Sequence, residues 1–223
     1  MKIETYPDRE MLAMDVANIL AGELKSALRH SEVVTFAVPG GTTPGPIFDN
    51  LCAVDIEWNR VNVIPTDERW VPEDHARSNA RLIRERLLTN YAAAATLIPF
   101  YRDQLTVGEG AHQVSAVLEK MLPISVLLLG MGEDMHTASL FPGAPGLDDA
   151  LDPEAPAAVA VRPVDQPEAR LSLSAVALEG ALSKHLVIKG EAKRAAFERA
   201  MTQPAHIAPI SAVMGGGRIH WVA

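Results

Sequence analysis

Apolar residues near the start of the chain recur at the spacing of one helix face. Leu12, Val16 and Ile19 begin a stripe that continues to Leu28, and this period is typical of an amphipathic helix with one buried side. The pattern predicts a helix over residues 8–29. The β-branched and apolar run that follows, at positions 33–38, predicts a strand buried on both faces.

Helix-like and strand-like segments keep alternating to the end of the chain. A short helix is predicted with Thr43 as its N-cap and Pro44 as its first residue, and further helices are predicted over 79–88, around 114–121 and over 191–201. Further strands are predicted over 61–66, 125–130, 157–161, 170–173, 185–188 and 218–222. This alternation indicates an α/β fold. We expect an open, mostly parallel twisted sheet with helices on both faces, a Rossmann-like three-layer arrangement.

Five prolines and little periodicity mark residues 143–167. We expect this segment to run over the surface and to lead back to an edge strand. The strands predicted after it are too few to build an independent core, so we expect one domain over residues 1–223 rather than two domains and a linker.

Composition narrows the class of protein. The chain has 223 residues, 48% of them hydrophobic and 22% charged, which is typical of a globular protein. A formal charge of -8 without a long basic run argues against a nucleic-acid partner or an anionic membrane surface.

The single Cys52 excludes an intrachain disulfide and fits a reducing compartment. No signal-like or membrane-length apolar run stands out, so we expect a cytoplasmic protein. The sequence does not indicate an oligomeric state.

Three loops follow predicted strands, with the sequences VPGGTTPG, PTDERW and LGMGEDMHTASLFPG. Ligands of open parallel sheets bind beyond the carboxyl ends of the strands, so these loops should converge on one site. In the first loop, Gly40 and Gly41 precede a helix and can direct backbone N–H groups at an anion such as phosphate. An ordinary tight turn is an equally good interpretation, because the lysine of a Walker loop and the dinucleotide spacing are both missing.

The third loop carries the clearest candidate chemistry. Asp134 and His136 lie on a glycine-flanked turn after the most apolar strand, and an imidazole beside a carboxylate is a tuned acid/base pair. One alternative is a metal site on these two residues, but no metal-binding spacing accompanies them. Another is a nucleophilic Ser139, but Ser139 does not lie in a G-x-S-x-G elbow. The remaining histidines are assigned to the surface or to packing: His30, His75, His112, His185, His206 and His220.

Five segments of the chain, taken together from about residue 33 to the end, resemble the 6-phosphogluconolactonase family. They are VPGGTTPGPIFDNL, TDERWVPEDHARSNARLIRERLL, LLLGMGEDMHTASLFPG, RLSLSAVAL and LVIKGEAKRAAFERAM. The wider superfamily includes glucosamine-6-phosphate deaminase, whose turn is similar to D-G-H-x-x-F-N-E-P. The glutamate of that turn is Phe141 in this chain, and the deaminase DEY is Asp67, Glu68 and Arg69. Both differences favour the lactonase over a deaminase-like isomerase.

The resemblance implies hydrolysis of 6-phospho-D-glucono-1,5-lactone to 6-phosphogluconate, the second step of the oxidative pentose phosphate pathway, without a cofactor or a metal. It implies that His136 is the general base on water and then the acid to the leaving oxygen, oriented by Asp134. It also implies a set of substrate-binding residues for the phosphorylated sugar lactone: Gly40, Gly41, Thr42, Asp67, Arg69, Arg170 and Lys193.

Several of these assignments have competing interpretations. Asp67 could accept a sugar hydroxyl or brace the loops, and Arg170 and Lys193 could be ordinary surface cations. Met135 stands where the family turn has glycine. If this position needs a positive φ, Met135 would be strained, so either the loop is re-routed or the activity is altered. A non-catalytic sugar-phosphate-binding protein is therefore a further alternative. Ser78 is predicted to cap the helix that begins at Asn79.

Overall fold

The computed structural model describes residues 3–164 and 166–223 of the chain. Within these residues there are ten strands and seven α-helices. The strands are β1 (Ile3–Thr5), β2 (Val34–Val38), β3 (Val61–Pro65), β4 (Asp67–Arg69), β5 (Thr96–Leu97), β6 (Val126–Leu129), β7 (Ala158–Val161), β8 (Arg170–Leu173), β9 (Lys184–Lys189) and β10 (Arg218–Val222). The helices are α1 (Arg9–Leu28), α2 (Gly45–Leu51), α3 (Asn79–Arg86), α4 (Val107–Leu118), α5 (Leu147–Leu151), α6 (Ala175–Glu179) and α7 (Glu191–Ala200). None of the helices in the described ranges is both long and apolar enough to cross a membrane.

The central sheet is parallel and carries helices on both faces. Among the described residues it has seven strands in the order β1-β10-β9-β6-β2-β3-β5. Side chains of a strand point alternately to the two faces, and in β2 Phe36 belongs to the hydrophobic cluster that contains α1 and α2, while Ala37 belongs to the cluster that contains α4 and α7. The α/β fold predicted from the alternation of helices and strands is confirmed.

A second, smaller sheet was not expected as a separate unit. In the described part of the chain it has three antiparallel strands in the order β4-β8-β7. The positions of β7 and β8 were predicted correctly, but apolar patterning shows where a strand lies and not which strand it joins. β4 spans three residues, Asp67–Arg69, so it is too short and too charged to produce a strand signal.

The proline-rich segment 143–167, of which Asp165 lies outside the described residues, does not run only over the surface. The segment contains α5 and β7, and Leu147, Ala150 and Ala158 are buried in the core. Its apolar residues are therefore part of the packing between α4, α5 and the small sheet. The prediction that the segment leads back to an edge strand is wrong: the strand that follows it is β8, the central strand of the small sheet, whereas the edge strand β7 lies within the segment.

Two of the histidines assigned to packing form a buried hydrogen-bonded chain between α1, β9 and β10. The carboxylate of Glu23 accepts a hydrogen bond from Nε2 of His185 at 2.7 Å and another from the hydroxyl of Ser183. Burial acts to raise the pKa of Glu23, but these hydrogen bonds outweigh it and lower the pKa. Nδ1 of His185 is hydrogen-bonded to Nε2 of His220 at 3.0 Å, and Nδ1 of His220 is hydrogen-bonded to the hydroxyl of Tyr6 at 2.9 Å. The lowered pKa of His220 indicates that its imidazole is neutral.

This arrangement should make the protein acid-sensitive at His220. Burial, with smaller contributions from His185 and Arg218, lowers the pKa of His220 to about 4, whereas an unfolded histidine titrates near ~6.5. The unfolded chain thus binds the proton first as the pH falls, and the free energy of unfolding should drop by roughly 2–3 kcal/mol between pH 6.5 and 4. In His220→Gln this part of the decline should vanish. Urea unfolding of both proteins at several pH values measures the free energy of unfolding, and an equal dependence on pH in the two proteins would contradict the prediction.

Candidate active site

A cavity of about 390 Å³ lies beyond the carboxyl ends of the central strands. The three loops that follow β2, β3 and β6 converge there, as the sequence predicts for an open parallel sheet. Its lining includes all the predicted site residues except Asp134, which lies behind His136: Gly40, Gly41, Thr42, Asp67, Arg69, His136, Arg170 and Lys193. Residues far apart along the chain are thus brought to one site.

The glycine loop between β2 and α2 is shaped by close packing. Gly41 has a φ of +84°, a conformation that favours glycine. A Cβ at Gly40 would overlap the side-chain amide of Asn79, so only glycine fits against it. The following helix begins at Gly45, with Pro44 as its N-cap, one residue later than the sequence suggests.

Asp67 is a buried carboxylate with partners inside the protein. Its Oδ2 accepts a hydrogen bond from the hydroxyl of Ser139 at 2.6 Å, and its Oδ1 accepts from the amide of Asn79 at 3.3 Å. These contacts tie the loop after β6 to β4 and to the start of α3. Ser139 is fully buried and its hydroxyl is used in this contact, which disfavours Ser139 as a nucleophile.

Glu68 is a structural residue that the sequence did not reveal. Its side chain is fully buried and accepts hydrogen bonds from the backbone N–H groups of Arg69, Asn79 and Ala80 at 2.7–2.9 Å and from the hydroxyl of Ser78 at 3.2 Å. Burial raises the pKa of Glu68 to about 7, although these backbone hydrogen bonds act to lower it. The carboxylate completes the N-terminus of α3, where Ser78 caps the helix as predicted: its hydroxyl oxygen accepts from the N–H of Arg81 while the hydroxyl donates to Glu68.

Two arginines stand side by side on the small sheet. Arg69 and Arg170 are direct cross-strand partners in β4 and β8, and like charges in that position repel each other. Burial, and then the charge of Arg69, lower the pKa of Arg170. Nη1 of Arg69 donates to the carbonyl of Arg77 at 2.7 Å, and Nη2 of Arg170 donates to the side-chain oxygen of Gln166 at 3.2 Å.

The cations of the cavity wall form no direct ion pair with a carboxylate in the described part of the chain. Across residues 3–164 and 166–223, neither Arg69, Arg170 nor Lys193 has an ion-pair partner within 4.0 Å. The Nε atoms of both arginines are buried without a hydrogen-bond partner in the described part of the chain. Unpaired buried donors are costly, so this wall is suited to an anionic ligand.

The imidazole of His136 is hydrogen-bonded to a carboxylate. Its Nδ1 lies 2.5 Å from Oδ1 of Asp134. Partial burial acts to raise the pKa of Asp134, but the hydrogen bonds and charge of His136 outweigh it and lower the pKa. Asp134 is therefore ionised and accepts a hydrogen bond from Nδ1–H, which leaves Nε2 as the ring nitrogen available to a ligand. The described residues contain no group of three or more His, Cys, Asp or Glu side chains arranged to hold a metal.

Backbone geometry places this pair on a tight turn. Met135 has a φ of +67°, so the positive φ considered for this position is present and is adopted by a methionine at a cost of roughly 1–2 kcal/mol. The N–H of Gly132 donates to the carbonyl of His136 at 3.0 Å, and the N–H of Met135 donates to the carbonyl of Gly132 at 3.1 Å. A Cβ at Gly132 would overlap both Asp134 and the His136 ring.

The fold and the cavity together define an α/β protein that presents a histidine–carboxylate pair and unpaired cations to a small anionic ligand. The family described as glucosamine-6-phosphate isomerases/6-phosphogluconolactonase matches residues 7–221, and the chain belongs to it. The resemblance inferred from the five sequence segments is confirmed.

Individual relatives support this family assignment over nearly the whole chain. The 6-phosphogluconolactonase of Caulobacter vibrioides is 38% identical over 89% of this chain and 87% of its own. That of Pseudomonas aeruginosa is 38% identical over 94% of this chain and 90% of its own. A crystal structure of a 6-phosphogluconolactonase from Shewanella baltica superposes with a TM-score of 0.94 at 31% identity, covering 99% of this chain and 97% of that one.

The turn geometry predicts a sharp difference between two nearby glycines. Gly132→Ala should separate Asp134 from His136, because the added methyl group overlaps both side chains, whereas the methyl group of Gly130→Ala would meet no atom within 4 Å. We expect the downfield Nδ1–H resonance of a carboxylate-bonded histidine in the parent and in Gly130→Ala, and its loss in Gly132→Ala. Retention of the resonance in both variants would show that the turn does not constrain the pair.

Proposed function

We propose that the protein hydrolyses 6-phospho-D-glucono-1,5-lactone to 6-phosphogluconate. The observation that carries the proposal is the joint presence, in one cavity, of the Asp134–His136 pair and of cations without carboxylate partners in the described part of the chain. The pair supplies proton transfer, and the cations suit a phosphorylated substrate. The names of the relatives agree with this reaction.

The proposed mechanism begins at Nε2 of His136. Because Asp134 accepts a hydrogen bond from Nδ1–H, Nε2 carries the free lone pair. This lone pair can take a proton from a water molecule as the water oxygen attacks the lactone carbonyl carbon. The carbonyl π electrons move to the oxygen and form a tetrahedral oxyanion. When the carbonyl re-forms, the bond to the ring oxygen breaks and the His136 imidazolium returns the proton to that oxygen. The carboxylic acid product then ionises, and neither a metal nor a cofactor is needed for any step.

Asp134 contributes to both halves of this cycle. Its carboxylate fixes the imidazole tautomer before the attack, and its negative charge stabilises the imidazolium while the oxyanion exists. Arg69 is proposed to stabilise the oxyanion or the phosphate, since preorganised charge at a developing anion is a large contribution to acyl-transfer catalysis.

The remaining predicted residues are proposed to hold the substrate. The phosphate would be bound by backbone N–H groups of Gly40, Gly41 and Thr42 and by the side chains of Arg170 and Lys193. Asp67 would accept a sugar hydroxyl in addition to its internal hydrogen bonds, because a carboxylate offers about four acceptor positions.

The two alternative functions are less well supported by the geometry. A deaminase-like isomerase would need an acid/base group where this chain places the ring of Phe141, which is stacked on His136. A protein that only binds sugar phosphates would not need the 2.5 Å contact between Asp134 and His136.

Replacing the proposed base tests the mechanism. His136→Ala should lower kcat by about 10²- to 10⁴-fold, the typical contribution of a positioned general base, without loss of folding. The assay is acid release from freshly generated lactone, corrected for spontaneous hydrolysis. His206→Ala, which removes an exposed histidine outside the cavity, is the matched control. An unaltered kcat in His136→Ala would assign the base to another residue, and a parent without acceleration would refute the proposed reaction.

Weakening the phosphate contact should change binding more than chemistry. Charge-assisted hydrogen bonds contribute about 1.5–3 kcal/mol, and such contacts act similarly on substrate and transition state, so Lys193→Ala should raise KM by roughly 10- to 100-fold with a smaller change in kcat. Arg199→Ala, on the same helix but exposed and outside the cavity, should leave KM unchanged.

Inorganic phosphate provides a second readout for the same contact. It should compete with substrate in the parent and much less in Lys193→Ala, with chloride at equal ionic strength as the control for screening. If Lys193→Ala kept the parent KM and the parent sensitivity to phosphate, the phosphate would have to bind elsewhere.

A further inference from the structure

The Asp134–His136 pair is poorly restrained by its own contacts. The side chain of Asp134 is 52% exposed and that of His136 is 28% exposed, so burial does not fix them. The hydrogen bond at Nδ1 restrains the ring only as firmly as the half-exposed carboxylate of Asp134 is itself held. General-base catalysis requires the opposite ring nitrogen to stay within hydrogen-bond reach of the water. A further contact on the ring itself would hold it more firmly.

Phe141 makes this contact. Its ring is stacked on the imidazole of His136, with the ring centroids 4.1 Å apart and the planes inclined by 30°. Stacked aromatic pairs stabilise each other beyond the effect of the area that they bury. The backbone of Gly132 lies against the ring edge that carries Nδ1 and Cε1. The hydrogen bond, the stacked ring and the glycine together leave little freedom to the imidazole.

The segment that carries Phe141 is firmly held, in contrast to the histidine. The hydroxyl of Thr137 donates to the carbonyl of Gly130 at 2.9 Å, and the N–H of Ser139 donates to the hydroxyl of Ser172 at 3.2 Å. The hydroxyl of Ser139 donates to Asp67, and Leu140 is fully buried. Phe141 directly follows these anchors, so its position is set by the small sheet and by the core.

We infer that Phe141 is a positioning residue, which transmits the rigidity of this anchored segment to the imidazole and keeps Nε2 of His136 directed into the cavity. The inference rests on the proposed function where it concerns turnover, but the ordering of His136 is a property of the unliganded protein. Phe141 also lines the cavity, so a direct contact with substrate is the competing explanation. The two explanations differ in whether kcat or KM changes.

The test uses Phe141→Leu, which removes the ring face but keeps an apolar side chain, and Phe141→Tyr, which keeps the ring. In the parent, the Cε1 proton of His136, identified by its absence in His136→Ala, should show the upfield shift of a proton over an aromatic face. Phe141→Leu should move it downfield, and Phe141→Tyr should restore it. Phe141→Leu should lower kcat by roughly two- to tenfold with KM nearly constant, and Phe141→Tyr should recover kcat. Tyr91→Leu removes an exposed aromatic outside the cavity and is the matched control.

The outcomes separate this inference from the proposed reaction. An unchanged His136 resonance in Phe141→Leu, or a raised KM with the parent kcat, would overturn the positioning role. If the resonance moves as expected while the parent shows no lactone hydrolysis, the positioning of His136 stands and the proposed reaction fails. Melting temperatures of the variants exclude unfolding as the cause of a lower kcat.

Discussion

The walls of the cavity depend on the buried carboxylate of Glu68. It accepts hydrogen bonds from β4 at Arg69 and from the start of α3 at Ser78, Asn79 and Ala80. Asn79, held in this way, donates to Asp67 and packs against Gly40. One acidic group thereby joins the glycine loop, the small sheet and a helix of the central sheet. The backbone donors offset part of the cost of burying its charge, although burial still raises the pKa of Glu68.

The side chains that line the cavity come from both sheets. The Asp134–His136 pair lies on a loop of the parallel sheet, whereas Arg69 and Arg170 lie on the antiparallel sheet. The hydrogen bond between Ser139 and Asp67 connects the two. The position of the histidine–carboxylate pair relative to the two arginines is therefore set by the hydrophobic core that the sheets share and by this buried polar contact.

The sequence predicted what is encoded locally and missed what is encoded by contacts between distant segments. The α/β order, the strand ends and the D-x-H turn are visible as patterns within a few residues, so Asp134 and His136 could be singled out. The partners of Glu68 are ten to twelve residues away, and Ser139 meets Asp67 across 72 residues. Periodicity carries no information on such pairings, and β4 was missed because its three charged residues produce no strand signal.

The cross-strand pairing of Arg69 with Arg170 has a consequence for stability. Two like charges face each other across β4 and β8, and their repulsion acts against the small sheet while the cavity is empty. An anion bound between the guanidinium groups would replace this repulsion with attraction, and a ligand that binds only the folded state stabilises that state. Occupancy of the cavity and local opening of β4 and β8 are thus thermodynamically linked, and hydrogen exchange of their backbone amides would slow on ligand binding more than exchange in the central strands.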